Sequence, residues 1–437
     1  MSEDHVESSL LRRLKSAPEI FTEIRNCSAE ERVSQKRLRS LFGDELVRAA
    51  LSVYDARERA RGQLPFADML WLNRVGLEQA TAWLVAQHKA ERFPSGVPVF
   101  DLCSGIGVDS TALAGRADVV AVDMDPAMCL RCEWNSAIWS PKHTVTSRCG
   151  DVTKDSWSDQ LVHIDPDRRA GRDRPVMRLE QYQPDLKWLQ ELISVGRGGA
   201  IKLGPASNFM QKFPGCEIEL ISLDGECREA TVWFGELAGP QAFRATTLST
   251  TPRNDRLVAD PVMTSEDLSA EPRTLENSLH GDSSPVSSME IVTTQSISAD
   301  PLSERAEAAE RVCEWICDPN PAVVRSGLLD VVAVQQGLMR LDPEEEYLTG
   351  DMAVRTDFLT PFQVEATLPN SLRELRAWLR ADPSRYYEIK CRRIRIEAAA
   401  VQRQLPIGDS PPRVILFARV GGVAKIVVAR RPADHWR

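Results

Sequence analysis

The chain has 437 residues, 43% of them hydrophobic, enough for roughly two or three domains with full cores. No apolar run reaches the ~18 residues of a membrane span, and Met1–Leu14 mixes acids and bases without the apolar stretch of a secretory signal. The net charge of −9 excludes a surface that binds polyanions everywhere, and a cytoplasmic protein with ten reduced cysteines is expected.

The charge is uneven. Residues 371–437 hold 15 Lys/Arg against 6 Asp/Glu, so that tail is +9 and the rest is −18. A basic tail on an acidic body suits either a nucleic-acid-binding module or a solvated basic surface.

Residues 5–90 are expected to be helical. Leu10, Leu11 and Leu14 fall at helical spacing, as do Leu46, Ala49, Ala50 and Val53. A further helical run covers Gly76–His88 and stops at Pro94 and Gly96. From Val97 the pattern changes to short apolar runs bounded by Gly, Asp and Pro. Strands are expected at 97–101, 118–123, 144–148, 161–165 and 199–204, with helices between them. This is the pattern of βαβ units around a buried parallel sheet. Residues 217–223 and 229–236 flank Asp224-Gly225, a hairpin signal. Five α/β strands closed by a hairpin match the Rossmann-like sheet of class I methyltransferases.

Residues 250–308 are rich in Ser, Thr, Pro, Asp and Glu, the composition of a disordered linker or insertion. After Ala309 the chain reads as helical through Val323–Val332. Strand-like runs follow at 386–390, 414–419 and 424–430, with Gly421-Gly422 marking a hairpin.

The strongest local signal is Val99-Phe-Asp-Leu-Cys-Ser-Gly-Ile-Gly-Val-Asp-Ser110. A strand ends at Asp101, Gly105 and Gly107 allow a sharp loop and a close backbone approach, and a helix follows from Asp109. Ser110 stands where a nicotinamide fingerprint needs a third glycine. A carboxylate at Asp101 favours the cationic methionine end of S-adenosylmethionine. Asp123 ends the second strand, where a carboxylate accepts bonds from both ribose hydroxyls, and Met124 is placed to pack on adenine. Asp151, after the third strand, is placed for the adenine amino group or for an N-cap.

The expected reaction centre is His163-Ile-Asp-Pro-Asp-Arg-Arg169, at the end of the fourth strand. Amino-methyltransferases carry an Asp/Asn-Pro-Pro-aromatic turn at this place. Asp165 and Pro166 match it, Asp167 replaces the second proline and Arg168 the aromatic. Asp165 would hold the target amine. Arg168 and Arg169 would clamp an anionic substrate, while Arg172 and Arg174 suit either that role or salt bridges with Asp167 and Asp173. Cys129/Cys132 and Cys313/Cys317 fall at helical spacings and read as buried helical cysteines, so no metal is expected.

Taken together, these residues resemble the bacterial class I methyltransferases that carry a C-terminal THUMP-like domain. The stretches that carry the resemblance are 76–81, 101–109, 122–126, 163–169, 202–205, 229–235, 318–325 and 386–430. The resemblance implies S-adenosylmethionine as methyl donor and suggests RNA as substrate. Trp378, Tyr386 and Tyr387 among Arg380, Arg385, Lys390, Arg392, Arg393 and Arg395 suit stacking and phosphate binding, or else a core strand with basic flanks. The expected organisation is a helical lobe (1–63), a Rossmann-like methyltransferase domain (64–245), the linker (246–308), a helical connecting segment (309–364) and a THUMP-like α+β domain (365–437). The expected reaction is methylation of an RNA-base nitrogen. The alternatives are a small-molecule or protein substrate, or a non-catalytic RNA-binding protein.

Overall fold

The computed structural model describes residues 3–27, 35–169, 176–252 and 289–432. The chain forms two compact units. The first is Met1–Phe213 with Trp233–Ala238 and Thr250–Val292, and the second is Pro214–Val232, Gly239–Ser249 and Thr293–Arg437.

The first unit opens with helices α1 (Glu3–Lys15), α2 (Glu19–Asn26), α3 (Lys36–Phe42) and α4 (Asp44–Ala60). In α4, Leu46, Val47, Ala50, Val53 and Ala56 form one buried stripe, and Asp44 and Glu45 sit at the positive N-terminal end of the helix dipole. These helices are not the separate lobe expected for residues 1–63. Their apolar faces share one core with Ala127, Leu130 and Trp134, which belong to the helix after the second strand. Trp71 meets Trp134 edge-on at 5.0 Å and Phe21 at 5.9 Å within that core.

The expected helix over 76–88 is broken into α5 (Arg74–Gln79) and α6 (Trp83–Ala90). Ala80 and Ala82 are extended, and Thr81 between them turns its hydroxyl onto Asp109 at 2.5 Å. The tertiary hydrogen bond wins over local helix propensity here.

Next come β1 (Val99–Leu102), α7 (Val108–Leu113), β2 (Val119–Asp123), α8 (Pro126–Trp139), β3 (Val145–Cys149), β4 (Leu161–Ile164), α9 (Leu186–Val195) and β5 (Gly198–Leu203). Asp125 caps α8 by accepting from the Ala127 N–H, with Pro126 in the first turn. The strands are parallel in the order β3-β2-β1-β4-β5. The order reverses between β1 and β4, which places a crevice outside their carboxyl ends.

β6 (Glu217–Leu223) and β7 (Glu226–Gly235) form the expected hairpin. Asp224 and Gly225 both adopt positive φ (50° and 80°), as the tight turn requires. β8 (Phe243–Pro252) pairs with β6 in parallel, and β9 spans Met289–Ala299. Both ends of the expected linker are therefore strands, and residues 253–288 lie outside the described residues.

A seven-stranded sheet follows in the order β11-β12-β10-β13-β16-β15-β14. Its strands are β10 (Trp315–Pro319), β11 (Met339–Arg340), β12 (Leu348–Gly350), β13 (Leu359–Pro369), β14 (Tyr387–Cys391), β15 (Arg413–Val420) and β16 (Val423–Arg430). Helices α10 (Pro321–Arg325), α11 (Leu329–Gln335), α12 (Leu372–Leu379) and α13 (Ala398–Gln402) complete the unit. Val414, Leu416 and Ala418 face one core, while Ile415 and Phe417 face another against α12 and α13. The expected helical connector over 309–364 thus holds α10 and α11 but also gives β10, β11, β12 and the start of β13 to this sheet. Cys317 lies on β10 and Cys313 just before it, not on a helix, because β10 pairs with β13 far along the chain.

Candidate active site

Parallel register sets the floor of the first unit's crevice. Asp101 on β1 stands beside His163 on β4 and Ala121 on β2. The carboxyl ends of these strands open into a cavity of about 480 Å³. Asp101, Gly105, Asp109, Asp123, Met124 and Asp151 line it, and so do Asp165, Pro166 and Arg168. The fold thus brings together acids that lie up to 64 residues apart in sequence.

Each acid has a distinct setting. Asp123 Oδ2 accepts from the Gly105 N–H at 2.9 Å and Oδ1 from the Asp125 N–H at 2.9 Å. Burial nevertheless pushes its carboxyl up to about 6, against those two N–H groups. Met124 is 71% exposed on the cavity wall. Asp151 caps a short turn by accepting from the Thr153 N–H and hydroxyl, which holds its carboxyl below the usual range.

Asp101 differs from the expected partner of a ligand cation. It is 1% exposed, and its oxygens accept from the Ser110 hydroxyl and from His163 Nδ1 at 2.7 Å. Asp109 is engaged in the same way, by the Thr81 hydroxyl and by Lys89 Nζ at 2.9 Å. Lys89, 1% exposed, also lies 3.3 Å from His163 Nε2. The result is a buried chain Asp101–His163–Lys89–Asp109. Burial alone would raise the Asp109 carboxyl, but the charges of Lys89, His163 and Lys202 outweigh it and hold it below its ordinary value.

The two glycines also separate. Gly105 is at φ +54° with open space around its Cα. Gly107 does not line the cavity. It is at φ +87°, and a Cβ there would lie 2.9 Å from the Cys132 Cα. Its role is the close packing of α7 on α8. Cys129 and Cys132 are buried on α8, and burial pushes both thiols up to about 12. Cys103 lines the cavity as a thiol that burial holds well above its usual range, so it is no nucleophile at neutral pH. Among the described residues no cluster of three or more His, Cys, Asp or Glu could hold a metal.

Asp165 begins the turn after β4. Its N–H donates to Leu102 O at 3.1 Å, and its Oδ2 accepts from Lys202 Nζ at 2.6 Å. Burial raises its carboxyl, and Lys202 pulls the other way. Asp167 locks the turn through paired backbone bonds with Gln183 at 2.8 and 3.0 Å. Its Oδ1 accepts from the Arg169 N–H and from Gln79 Nε2. Arg168 faces the cavity. Arg169 does not, because it pairs with Glu78 at 2.7 Å. Arg172 and Arg174 lie outside the described residues. The site residues that sequence reasoning missed are Gln79, Thr81, Lys89 and Lys202. Lys202 alone left a signal, a single charge inside the apolar run Gly198–Leu203.

In the second unit the expected basic set is partly consumed. Tyr387 is fully buried, its hydroxyl donating to Pro406 O. Lys390 and Arg392 pair with Asp318, and Arg392 and Arg393 pair with Glu346. Arg380, Arg385, Tyr386 and Arg395 remain exposed. The structure has no helix, among the described residues, long and apolar enough to cross a membrane.

Residues 359–431 match the family described as THUMP domain-like. A crystal structure from Porphyromonas gingivalis W83, described as a candidate methyltransferase, superimposes with a TM-score of 0.71 at 17% identity. It covers 97% of this chain and 98% of that one, and so shares the fold. Two proteins of Mycobacterium tuberculosis, from strains H37Rv and CDC 1551, each bear the description uncharacterized S-adenosylmethionine-dependent methyltransferase. Each is 31% identical over 399 residues, spanning 88% of this chain and 96% of its own length. At that identity and coverage, this chain belongs to the family of S-adenosylmethionine-dependent methyltransferases that those relatives represent.

Proposed function

We propose that the chain methylates a nitrogen of an RNA base in the cytoplasm. The observation that carries this reading is Asp165. It stands at the carboxyl end of β4, where the strand order reverses, and lines the same cavity as Asp123.

The cavity suits the donor. Its ~480 Å³ falls within the size range of small-molecule sites. Each Asp123 oxygen takes one backbone N–H and keeps lone pairs for the two ribose hydroxyls. Met124 offers an apolar face to adenine, Asp151 an acceptor for its amino group, and Gly105 a backbone free of a side chain. Asp101 and Asp109 act indirectly in this reading, by fixing the loop and its charge. When bound, S-adenosylmethionine supplies a methyl group made electrophilic by its sulfonium.

The chain's own residues do the positioning. Asp165 Oδ1 and the Pro166 carbonyl accept the N–H groups of the target amine, which aims the nitrogen lone pair at the methyl carbon. The raised carboxyl of Asp165 suits it to take the proton that the nitrogen sheds. Arg168 offers its guanidinium to an anionic or aromatic part of the substrate.

The RNA assignment draws support from the THUMP domain-like match and from the +9 tail with its exposed Arg380, Arg385, Tyr386 and Arg395. The internal pairing of Lys390, Arg392 and Arg393 favours the second reading, a smaller substrate. Mass spectrometry of nucleosides from undermodified RNA treated with protein and donor separates the two. One nucleoside heavier by a methyl on nitrogen is the expected result. Unchanged RNA alongside donor turnover on a small molecule or protein would contradict it.

A further inference from the structure

The segment Gly76–Thr81, conspicuous in the sequence, has no direct part in the chemistry proposed above. It nevertheless forms a wall of the cavity through Gly76, Gln79, Ala80 and Thr81. One buried cation ties it to the reaction centre. Lys202, 5% exposed on β5, donates from Nζ to Asp165 Oδ2 at 2.6 Å and to the Gln79 carbonyl at 2.8 Å. Gln79 ends α5, and its side chain reaches Asp167 Oδ1 at 3.0 Å. Three elements therefore meet at one ammonium: α5, the turn after β4, and β5.

We infer that Lys202 is a positioning residue that clamps Asp165 and the Gly76–Thr81 wall together, so that the free oxygen of Asp165 faces the cavity in one orientation. This inference rests on the reading of Asp165 as the group that holds the acceptor amine. An ammonium has three N–H donors, and two are spent here on a carboxylate and a helix-end carbonyl. With Oδ2 so held, Oδ1 keeps both of its lone pairs for a ligand. Among the described residues, Asp109 from α7 opposes its ionisation and Arg168 from its own turn favours it. Lys202 is the largest of the groups that favour the charged form. Without it, burial and Asp109 would go unopposed except by Arg168.

The test uses the full chain labelled with ¹³C at the aspartate carboxyls, with Asp165→Asn to assign the Asp165 signal. In Lys202→Met the Asp165 titration midpoint should rise by at least about one pH unit, a tenfold change in its ionisation constant. Donor affinity by calorimetry should stay within about threefold. The acidic limb of the methyl-transfer profile should move up with the midpoint, and Lys202→Arg should move it back. Should Lys202→Met fail to fold, Lys202→Gln removes the charge while keeping an N–H donor, and the same rise is expected. An unchanged Asp165 midpoint in the charge-free variant would overturn the role of Lys202. Full turnover by Asp165→Ala would instead overturn the reading of Asp165 itself, so the two failures are distinguishable.

Discussion

On the proposed reading, Asp123 couples donor binding to pH. Burial pushes its carboxyl up to about 6, from an ordinary 3.8. A carboxyl raised in this way costs the unliganded fold stability above pH 6, where it is charged, and the cost fades as pH falls toward 4. Ribose hydroxyls donate best to the charged form, so donor affinity should fall about tenfold between pH 7 and pH 5. In Asp123→Asn that pH dependence should vanish, with binding at pH 7 weaker by about tenfold or more. Calorimetry at both pH values measures this, and an unchanged pH dependence in the variant would remove Asp123 from the donor site. Lys89 makes a second prediction at this scale. Lys89→Met leaves Asp109 buried and without its ammonium, and should lower unfolding stability by about 3–5 kcal/mol. Denaturant titration reads it, and a loss under about 1 kcal/mol would contradict the buried chain. The acids at the strand ends were legible in the sequence because they recur after successive short apolar runs, although Asp101 and Asp151 also make structural hydrogen bonds. The partners of the lysines were not: Lys202 shows in the sequence only as one charge in an apolar run, and it finds Asp165 at a separation of 37 residues and Gln79 at 123.

Among the elements, the glycine loop shows how similar residues divide their work. Gly107→Ala meets both a positive φ and the Cys132 backbone, and should cost about 2–4 kcal/mol of stability. Gly105→Ala has space and only the backbone strain, about 1–2 kcal/mol. Equal losses in denaturant unfolding would show that the packing of α7 on α8 is not the constraint. The parallel strands were legible to within two residues at their ends, because each is a short apolar run bounded by turn residues. The break at Ala80 was not, since helical periodicity continues through it and only the distant Asp109 explains the turn of Thr81. Cys313 and Cys317 matched helical spacing just as well as strand spacing. The pairing of β10 with β13, more than 40 residues on, decided for strand.

For the whole molecule, the alternation of apolar runs and helices made the methyltransferase sheet legible, and the resemblance supplied the C-terminal domain. The division into units was not legible. The N-terminal helices share a core with α8, and β6 and β8 group with the C-terminal unit. The basic tail was counted correctly as charge but overcounted as surface, since acids as far away as Asp318 neutralise part of it. The exposed remainder makes a prediction. Alanine at Arg380, Arg385 or Arg395 should weaken RNA binding and reduce the salt slope by about one unit for each phosphate no longer neutralised. A slope unchanged in all three variants would move RNA recognition away from this surface.

In the proposed function one cavity binds the donor through Asp123 and the acceptor through Asp165. Transfer of tritiated methyl from S-adenosylmethionine to bulk undermodified RNA, by the wild type and by Asp165→Ala, tests it most directly. Label in RNA with the wild type, at least ~100-fold less with the variant, and similar donor affinity in both is the predicted result. Equal label with both proteins, or loss of donor binding in the variant, would contradict it.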